Sequence, residues 1–502
     1  MSRLSDPDVR FTLFGVLLAL FLGALDQTIV ATAMPAIVDD LFGLERYAWV
    51  ATVYLLASTA MVPVYGKLAD MYSRRTIQLS AVGLFLAGSF LCGFAGLLGP
   101  IPLIGDGMNQ LILFRAIQGI GGAGLFALPF IVIADLFPPA ERGRYQGLVG
   151  AVFGISSVLG PLIGGLLADH AGILIPGVSG WRWVFFVNLP VGAVAATFIV
   201  KRMPALVPPG ERKPLDFASA LLLLVGLVPL ILALQLDKYV HPWGAVETLA
   251  LFAASAVGLL LFVKRSLVSP NPILNLSLFR NPVFSRSILA LFLLGASFLN
   301  LVIFLPLFIV NVVGVSATSA GVSLIPLSLG VVVGATGAGQ LVSRVGHYKR
   351  FMLGGGLILA IGVFLLSSMS ADVSYARVVL YMLICGIGVG PTLPLYPLAV
   401  QNAVDVREIG QATSASQFFR QIGGTVGAAA MGTVLGYTLA TADVPGAPPE
   451  LLREAFALAT RRIFFAVGLL VVAGWVVTLF IPELPLRRSN QHVVRPTTGG
   501  VE

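Results

Sequence analysis

The chain has 502 residues, 57% of them apolar and only 11% charged, and its mean hydropathy is +0.95; soluble proteins carry about 25% charged residues, so this composition excludes one and places the chain in lipid. The net charge of +8 does not point to nucleic acid, because the basic residues fall in short loops between apolar runs. Cys92 and Cys385 lie in different apolar runs, and His170, His241, His347 and His492 lie in loops or tails. That leaves no disulfide framework, no metal-ligand cluster and no nucleophile–base pair for an enzyme.

The apolar runs are continuous and about twenty residues long, the length of membrane helices, without the alternation of barrel strands. The 56 glycines and 31 prolines suit this class. The expectation is an all-α membrane protein with about fourteen spans: 11–35, 48–66, 76–98, 108–135, 145–169, 183–201, 216–236, 243–263, 283–313, 319–343, 351–369, 375–402, 412–440 and 463–482. The first run is too long for a signal peptide and no small-residue cleavage site follows it, so it is read as a span.

Loop charges orient the chain. Of the 31 lysines and arginines, 22 fall at the ends or in one set of loops, 7 in the opposite set, and Arg115 and Arg420 fall inside spans. An even span count with this bias puts both termini in the cytoplasm and the protein in the cytoplasmic membrane.

The first span carries Asp26, followed by Gln27 and Thr28. A charge at bilayer depth costs roughly 2.5–3.5 kcal/mol on insertion scales. A carboxylate that a proton can neutralise, placed on a transport route, couples transport to a proton gradient. The alternative is a structural aspartate bonded to a neighbouring helix.

After the second span comes Gly66-Lys-Leu-Ala-Asp70-Met-Tyr-Ser-Arg74-Arg75, and after the tenth Gly339-Gln-Leu-Val-Ser343-Arg344-Val-Gly346-His-Tyr-Lys349-Arg350. Glycine suits the tight approach at such a turn. Asp70 is placed to cap a helix or pair with an arginine, and Arg74 and Arg75 to face anionic headgroups. The repeat implies two parallel six-span halves, with a substrate site at midplane between them. The expected organisation is residues 1–202, a linker and extra hairpin over 203–270, residues 271–486, and a cytoplasmic tail over 487–502.

The Gly66–Arg75 turn resembles the major facilitator superfamily motif Gly-x-Leu-Ala-Asp-x-x-Gly-Arg-Arg, departing from it at Ser73. In that family the motif (here Gly66, Asp70, Arg74 and Arg75) latches the cytoplasmic gate in the outward-facing state. Leu25-Asp26-Gln-Thr28-Ile29-Val30 through Pro35, and Trp181-Arg182-Trp183 through Asn188-Leu189-Pro190, are similar to the first-span and sixth-span motifs of its fourteen-spanner drug:proton antiporters. The resemblance covers about residues 11 to 485.

In the fourth span Arg115 lies about seven residues, or roughly 10 Å, below the outer edge, near the depth of Asp26. If the two face each other, the arginine holds the carboxylate ionised until substrate or a moving helix releases it; otherwise Arg115 braces helices through backbone carbonyls. The pattern resembles the superfamily's arginine motif, which is linked to proton transfer. Gly119-Ile-Gly121-Gly122-Ala-Gly124 has the outline of a dinucleotide fingerprint, but it sits in an apolar span with no preceding strand, and close helix packing explains it. No phosphate loop for ATP is present.

In the fifth span, Gly154-Ile-Ser-Ser-Val-Leu-Gly160-Pro161-Leu-Ile-Gly164-Gly165 combines a helix-kinking proline with glycines for close approach. It resembles the antiporter motif of drug exporters and favours export over import; a generic packing seam is the alternative. In the second half, Arg420, within a stretch that also looks like this family, either lines the inner cavity or braces helices. Gln27, Gln118, Asn300, Asn311 and Arg420 are the candidates for the substrate cavity.

The outer segment 441–462 places Leu451, Leu452, Ala455, Phe456 and Ala459 at helical spacing. It is expected to form a short amphipathic helix, either on the outer leaflet, where it would serve lipid release or a periplasmic partner, or packed over the second half.

Together these readings imply a proton-driven antiporter that exports amphipathic or lipophilic, often cationic, drugs. A lipid exporter on the same fold is the first alternative, and a non-transporting sensor or scaffold the second. No cofactor beyond the coupling proton, no nucleic acid, contact with membrane lipids and a monomeric state are expected.

Overall fold

The computed structural model describes residues 6–97, 99–170, 179–208, 215–236, 240–314, 323–440 and 449–488. Arg3, Arg212, Lys213, Lys238, Arg495, residues 441–448 of the outer loop and the tail beyond residue 488 lie outside that set. Among the described residues, fourteen helices are long and apolar enough to cross a membrane: Pro7–Leu41, Trp49–Met71, Arg74–Phe94, Gly107–Leu136, Pro139–Ala168, Gly180–Arg202, Phe217–Gln235, Val246–Val268, Pro282–Val313, Ile325–Val345, Lys349–Ser367, Tyr375–Ala403, Val406–Ala440 and Glu450–Leu479. They correspond one to one with the spans expected from sequence, and six of them run four or more residues longer.

Caps set several of the boundaries. Asp6, Asp106 and Asn281 each accept backbone N–H bonds from the first turn of the helix they precede, which satisfies donors that a helix start leaves open. Two spans are interrupted. The sixth breaks into Trp183–Phe186 and Asn188–Arg202 at Val187. The twelfth breaks after Val389, where Gly390 and Pro391 precede a second helix over Thr392–Ala403; proline has no N–H to carry the ladder through.

The helices pack as two bundles, each with its own apolar core. The first gathers residues from the first five spans and the sixth, the second from the ninth to fourteenth. The fifth and tenth spans pack together on one side of the seam, and the second and thirteenth on the other. The hairpin formed by the seventh and eighth spans is tight, since a Cβ on Gly258 would lie 2.7 Å from Gly226 Cα. Leu223, Leu227 and Ile231 join the first core, while Trp243 Nε1 donates to Thr433 Oγ1 of the thirteenth span at 2.9 Å. The seventh span also touches both the second and the thirteenth, so the hairpin lies over the seam between the halves.

The structure corrects two expectations. Residues 449–479 form one continuous helix, so the amphipathic segment is the N-terminal end of the fourteenth span and not a separate surface helix. Its Arg453 Nε donates to Val312 O at 2.9 Å and Nη2 to Ala371 O at 2.5 Å, which packs it over the second half. Arg74 does not face headgroups: it is 1% exposed and lies against Asp135 at 2.8 Å.

Candidate functional site: a buried carboxylate, a latch between the halves and a central cavity

Asp26 stands near the middle of the first helix and has no exposed surface. Its Oδ2 accepts from Arg115 Nη1 at 2.5 Å. Its Oδ1 accepts from Gln118 Nε2 at 2.8 Å and from Asn188 Nδ2 at 3.1 Å. Arg115 and Gln118 are three residues apart on the fourth helix, hence on one face, and Arg115 Nη1 also donates to Gln118 Oε1 at 2.7 Å. The guanidinium is 4.2 Å from the centre of the Tyr54 ring, and its Nε donates to Val50 O at 3.3 Å. Asn188, at the break of the sixth span, donates to Ser89 Oγ as well, at 2.9 Å. Every side chain that bonds Asp26 is a donor, the pattern a carboxylate requires. A proton on Asp26 would set donor against donor until one partner withdraws or an amide turns over. Two buried oxygens here have no hydrogen-bond partner, Tyr54 Oη and Asn188 Oδ1.

Glycines let these helices close on each other. A Cβ on Gly119 would lie 2.6 Å from Tyr54 O, and one on Gly121 2.3 Å from Phe85 N. The glycine run of the fourth span is thus a packing surface, as expected.

At the end of the bundle where the second span turns into the third, Asp70 reaches across the seam. Its Oδ1 accepts from Gly410 N and its Oδ2 from Gln411 N, both at 2.8 Å, at the start of the helix Ile409–Ala440. A carboxylate is favoured there by the open N–H groups and the positive end of the helix dipole. Arg74 lies 3.7 Å from the same carboxylate. A Cβ on Gly66 would lie 2.6 Å from Gly410 O, so this glycine is required where the halves touch. The second repeat does the same in reverse: Ser343 Oγ accepts from Arg144 N of the fifth span at 3.1 Å, and a Cβ on Gly339 would lie 2.2 Å from Gly143 O. Further bonds between the halves, Gln146 to Gln401 at 2.8 Å and Thr59 to Gln421 at 2.9 Å, continue the seal inward.

Beyond that seal lies a cavity of about 380 Å³, walled by the first and fifth spans from one half and the ninth and tenth from the other. Gln27, Thr28, Pro161, Phe153, Phe298 and Ser328 are among its lining residues. Gln27 and Thr28 directly follow Asp26, so the same turn of helix presents one residue to the buried ion pair and the next two to the cavity.

Residues 16–428 match the family model of the Major Facilitator Superfamily. The chain belongs to the Major Facilitator Superfamily. It is 39% identical over 429 residues to Multidrug resistance protein 3 of Bacillus subtilis (strain 168), covering 86% of this chain and 80% of that protein. It is 38% identical over 436 residues to Multidrug transporter protein MdtP of the same organism, covering 87% and 77%. Among solved structures, the proton:xylose symporter XylE bound to 6-bromo-6-deoxy-D-glucose aligns with a TM-score of 0.64 at 15% identity, over 95% of this chain and 96% of that one. The human organic anion transporter MFSD10 aligns with a TM-score of 0.62 at 17% identity, over 93% and 100%. These two share the fold.

Within this superfamily transporter the expected site residues separate into groups. Asp26 and Arg115 form a direct pair. Gly66, Asp70 and Arg74 meet at the latch, whereas Arg75 donates to Val200 O of its own half. Gly160 and Gly164 face the first span, where a Cβ would lie 1.9 Å from Thr28 Oγ1 and 2.1 Å from Thr32 Oγ1; Gly165 faces open space.

Of the cavity candidates, Gln27 lines the cavity and the other four are not among its lining residues. Gln118 serves Asp26. Asn300 and Asn311 turn back onto their own helix, donating to Ala296 O at 2.6 Å and Leu307 O at 2.8 Å. Arg420 Nη2 donates to Gln417 Oε1 at 2.8 Å. Asn188 and Tyr54 were not singled out from sequence as site residues. Asn188 stands in a quoted motif, but which side chain an amide in an apolar run will meet depends on helix rotation, which spacing does not reveal.

Proposed function

We propose that this chain is a proton-coupled antiporter that exports lipophilic drugs across the cytoplasmic membrane by alternating access, with both termini in the cytoplasm. The observation that carries the reading is the contact between Asp26 and Arg115, fully buried in the first bundle and one residue away from cavity-lining Gln27. Two relatives, one named for multidrug resistance and one for multidrug transport, support the cargo class. The loops rich in lysine and arginine lie at the Asp70 end of the bundle, which supports the orientation.

In this mechanism Asp26 takes up a proton from the outer side while the seam at Asp70 is shut, which frees Arg115. Once the cytoplasmic seam parts and drug binds, that proton leaves to the cytoplasm and the pair with Arg115 re-forms, so that drug moves out as the proton moves in. One charge moved through 100 mV supplies about 2.3 kcal/mol, and a pH gradient adds to it.

The test uses purified protein in vesicles with an imposed pH gradient. Asp26→Asn is expected to lose gradient-driven accumulation of drug while keeping exchange of drug for drug. Full gradient-driven transport by that variant would refute the coupling role. The apolar lining of the cavity is the one observation that favours lipid cargo instead; lipid transport without drug transport in the same vesicles would decide for it.

A further inference from the structure

We infer that the central cavity selects uncharged, largely apolar molecules that carry one hydrogen-bonding group, and that Gln27 is the residue that reads that group. This deepens the export reading and rests on it.

None of the described side chains lining the cavity is charged. A permanent cation entering it would leave water and meet no counter-charge, which is the costly case of charge burial. The nearest carboxylate along the chain, Asp26, is wholly enclosed and already bonded to Arg115, Gln118 and Asn188.

The hydroxyl donors in the wall are already committed. Thr28 Oγ1 donates to Leu25 O at 3.0 Å and is 3.2 Å from Ser156 O. Thr32 Oγ1 donates to Ile29 O at 2.8 Å. Ser157 and Ser328 bond each other across the seam at 2.7 Å. Gln27 differs: among the described residues its side chain has no hydrogen-bond partner. Its amide offers both a donor and an acceptor. A ligand that matches it gains specificity, since one placed polar contact in an apolar pocket orients the occupant. At about 380 Å³ the cavity is at the small end of drug-binding sites, roughly 300–1,000 Å³, too small to enclose a two-chain lipid.

The test compares two probes of similar shape on the full-length protein: triphenylphosphine oxide, uncharged with one acceptor oxygen, and the tetraphenylphosphonium cation. Equilibrium binding is measured with labelled probes, and pH-driven transport in vesicles. The neutral probe is expected to bind at least tenfold more tightly. Gln27→Leu should weaken it several-fold, and Gln27→Glu should raise cation binding at least tenfold, a gain that a misfolded variant would not show. Equal or tighter binding of the cation by the unaltered protein, or unchanged neutral binding in Gln27→Leu, would overturn the inference; if the cation is then also transported, the export reading survives without it. If neither probe binds nor moves, both readings fall together.

Discussion

Ser343 holds in the second half the place that Asp70 holds in the first: each lies four residues after the glycine of its turn, and each accepts a backbone N–H from a helix of the opposite half. The symmetry is in position and the asymmetry in strength. Asp70 gives two charge-assisted bonds at a helix start, Ser343 one neutral bond. Charge-assisted bonds are roughly twice as strong as neutral ones, so the closure of the face that carries these two turns is held unequally on the two sides of the seam.

Two substitutions follow from this inequality. Asp70→Ala removes a helix cap worth about 1 kcal/mol, enough to move a two-state balance roughly fivefold toward opening at that face. Ser343→Asp supplies a carboxylate where a hydroxyl now accepts, and should shift the balance the other way. Spin labels on Tyr72→Cys and Arg407→Cys, both exposed positions, would report a longer distance in the first case and a narrower distribution in the second. Unchanged distances in Asp70→Ala would show that the seal rests on packing alone.

The Asp26–Arg115 pair should be strongly non-additive. Removing one member of a buried pair strands the other, at about 3–5 kcal/mol, while replacing both is often close to neutral. Asp26→Asn and Arg115→Gln should each lower the thermal unfolding temperature in detergent, and the double variant should recover more than half of either loss. Additive losses would mean that Arg115 is held mainly by Val50 O, Gln118 and the Tyr54 ring.

Asp216 gives the hairpin a pH dependence. It caps the seventh span by accepting from Ser219 N at 3.1 Å and Oγ at 2.8 Å, and it receives Ser269 Oγ at 2.5 Å and Arg265 Nε at 3.2 Å. Burial pushes its pKa up, but the bonds from Ser269, Ser219 and Arg265 outweigh that and hold it well below the usual carboxylate range. Because the folded value is depressed, the stabilisation is complete above the unfolded value of about 3.9 and is lost as the pH falls through the folded one. The difference in unfolding temperature between the natural protein and Asp216→Asn should therefore be constant from neutral pH down to about pH 5 and shrink below about pH 4. A difference that persists at the acid end would assign the effect to shape and not charge.

What the sequence made legible depended on whether a residue's task is fixed by position along a helix or by rotation about it. Depth in the membrane is positional, so Asp26 and Arg115 could be set at one level, and the turn after the second span could be matched to the one after the tenth. Rotation is not positional. Asn300, Asn311 and Gln118 are all polar groups in apolar runs, yet two of them donate to the preceding turn of their own helix and the third supports the ion pair. The outer helix was misjudged for a related reason: Leu451, Leu452 and Ala455 keep the same 3.6-residue period as the span they lead into, and no helix breaker separates them from it. Arg74 reads as a headgroup contact in sequence because its partner, Asp135, stands 61 residues on, at the far end of the next span.

The last two glycines of the fifth-span motif form a matched pair, adjacent in sequence and opposite in surroundings. A Cβ on Gly164 would sit 2.1 Å from Thr32 Oγ1 and 2.7 Å from Ile29 O; a Cβ on Gly165 would meet nothing within 4 Å. The hydroxyl can rotate away, but the Ile29 carbonyl belongs to the first helix and moves only with it. Gly164→Ala should therefore force the first and fifth spans apart, at about 1–3 kcal/mol for overpacking, and disturb the wall that both contribute to the cavity. Gly165→Ala should stay within about 0.5 kcal/mol of the natural protein. Thermal unfolding and drug export measured on both variants would check this. Equal effects of the two substitutions would mean that the motif works through helix flexibility, which any alanine reduces, and not through close approach to Thr32 and Ile29.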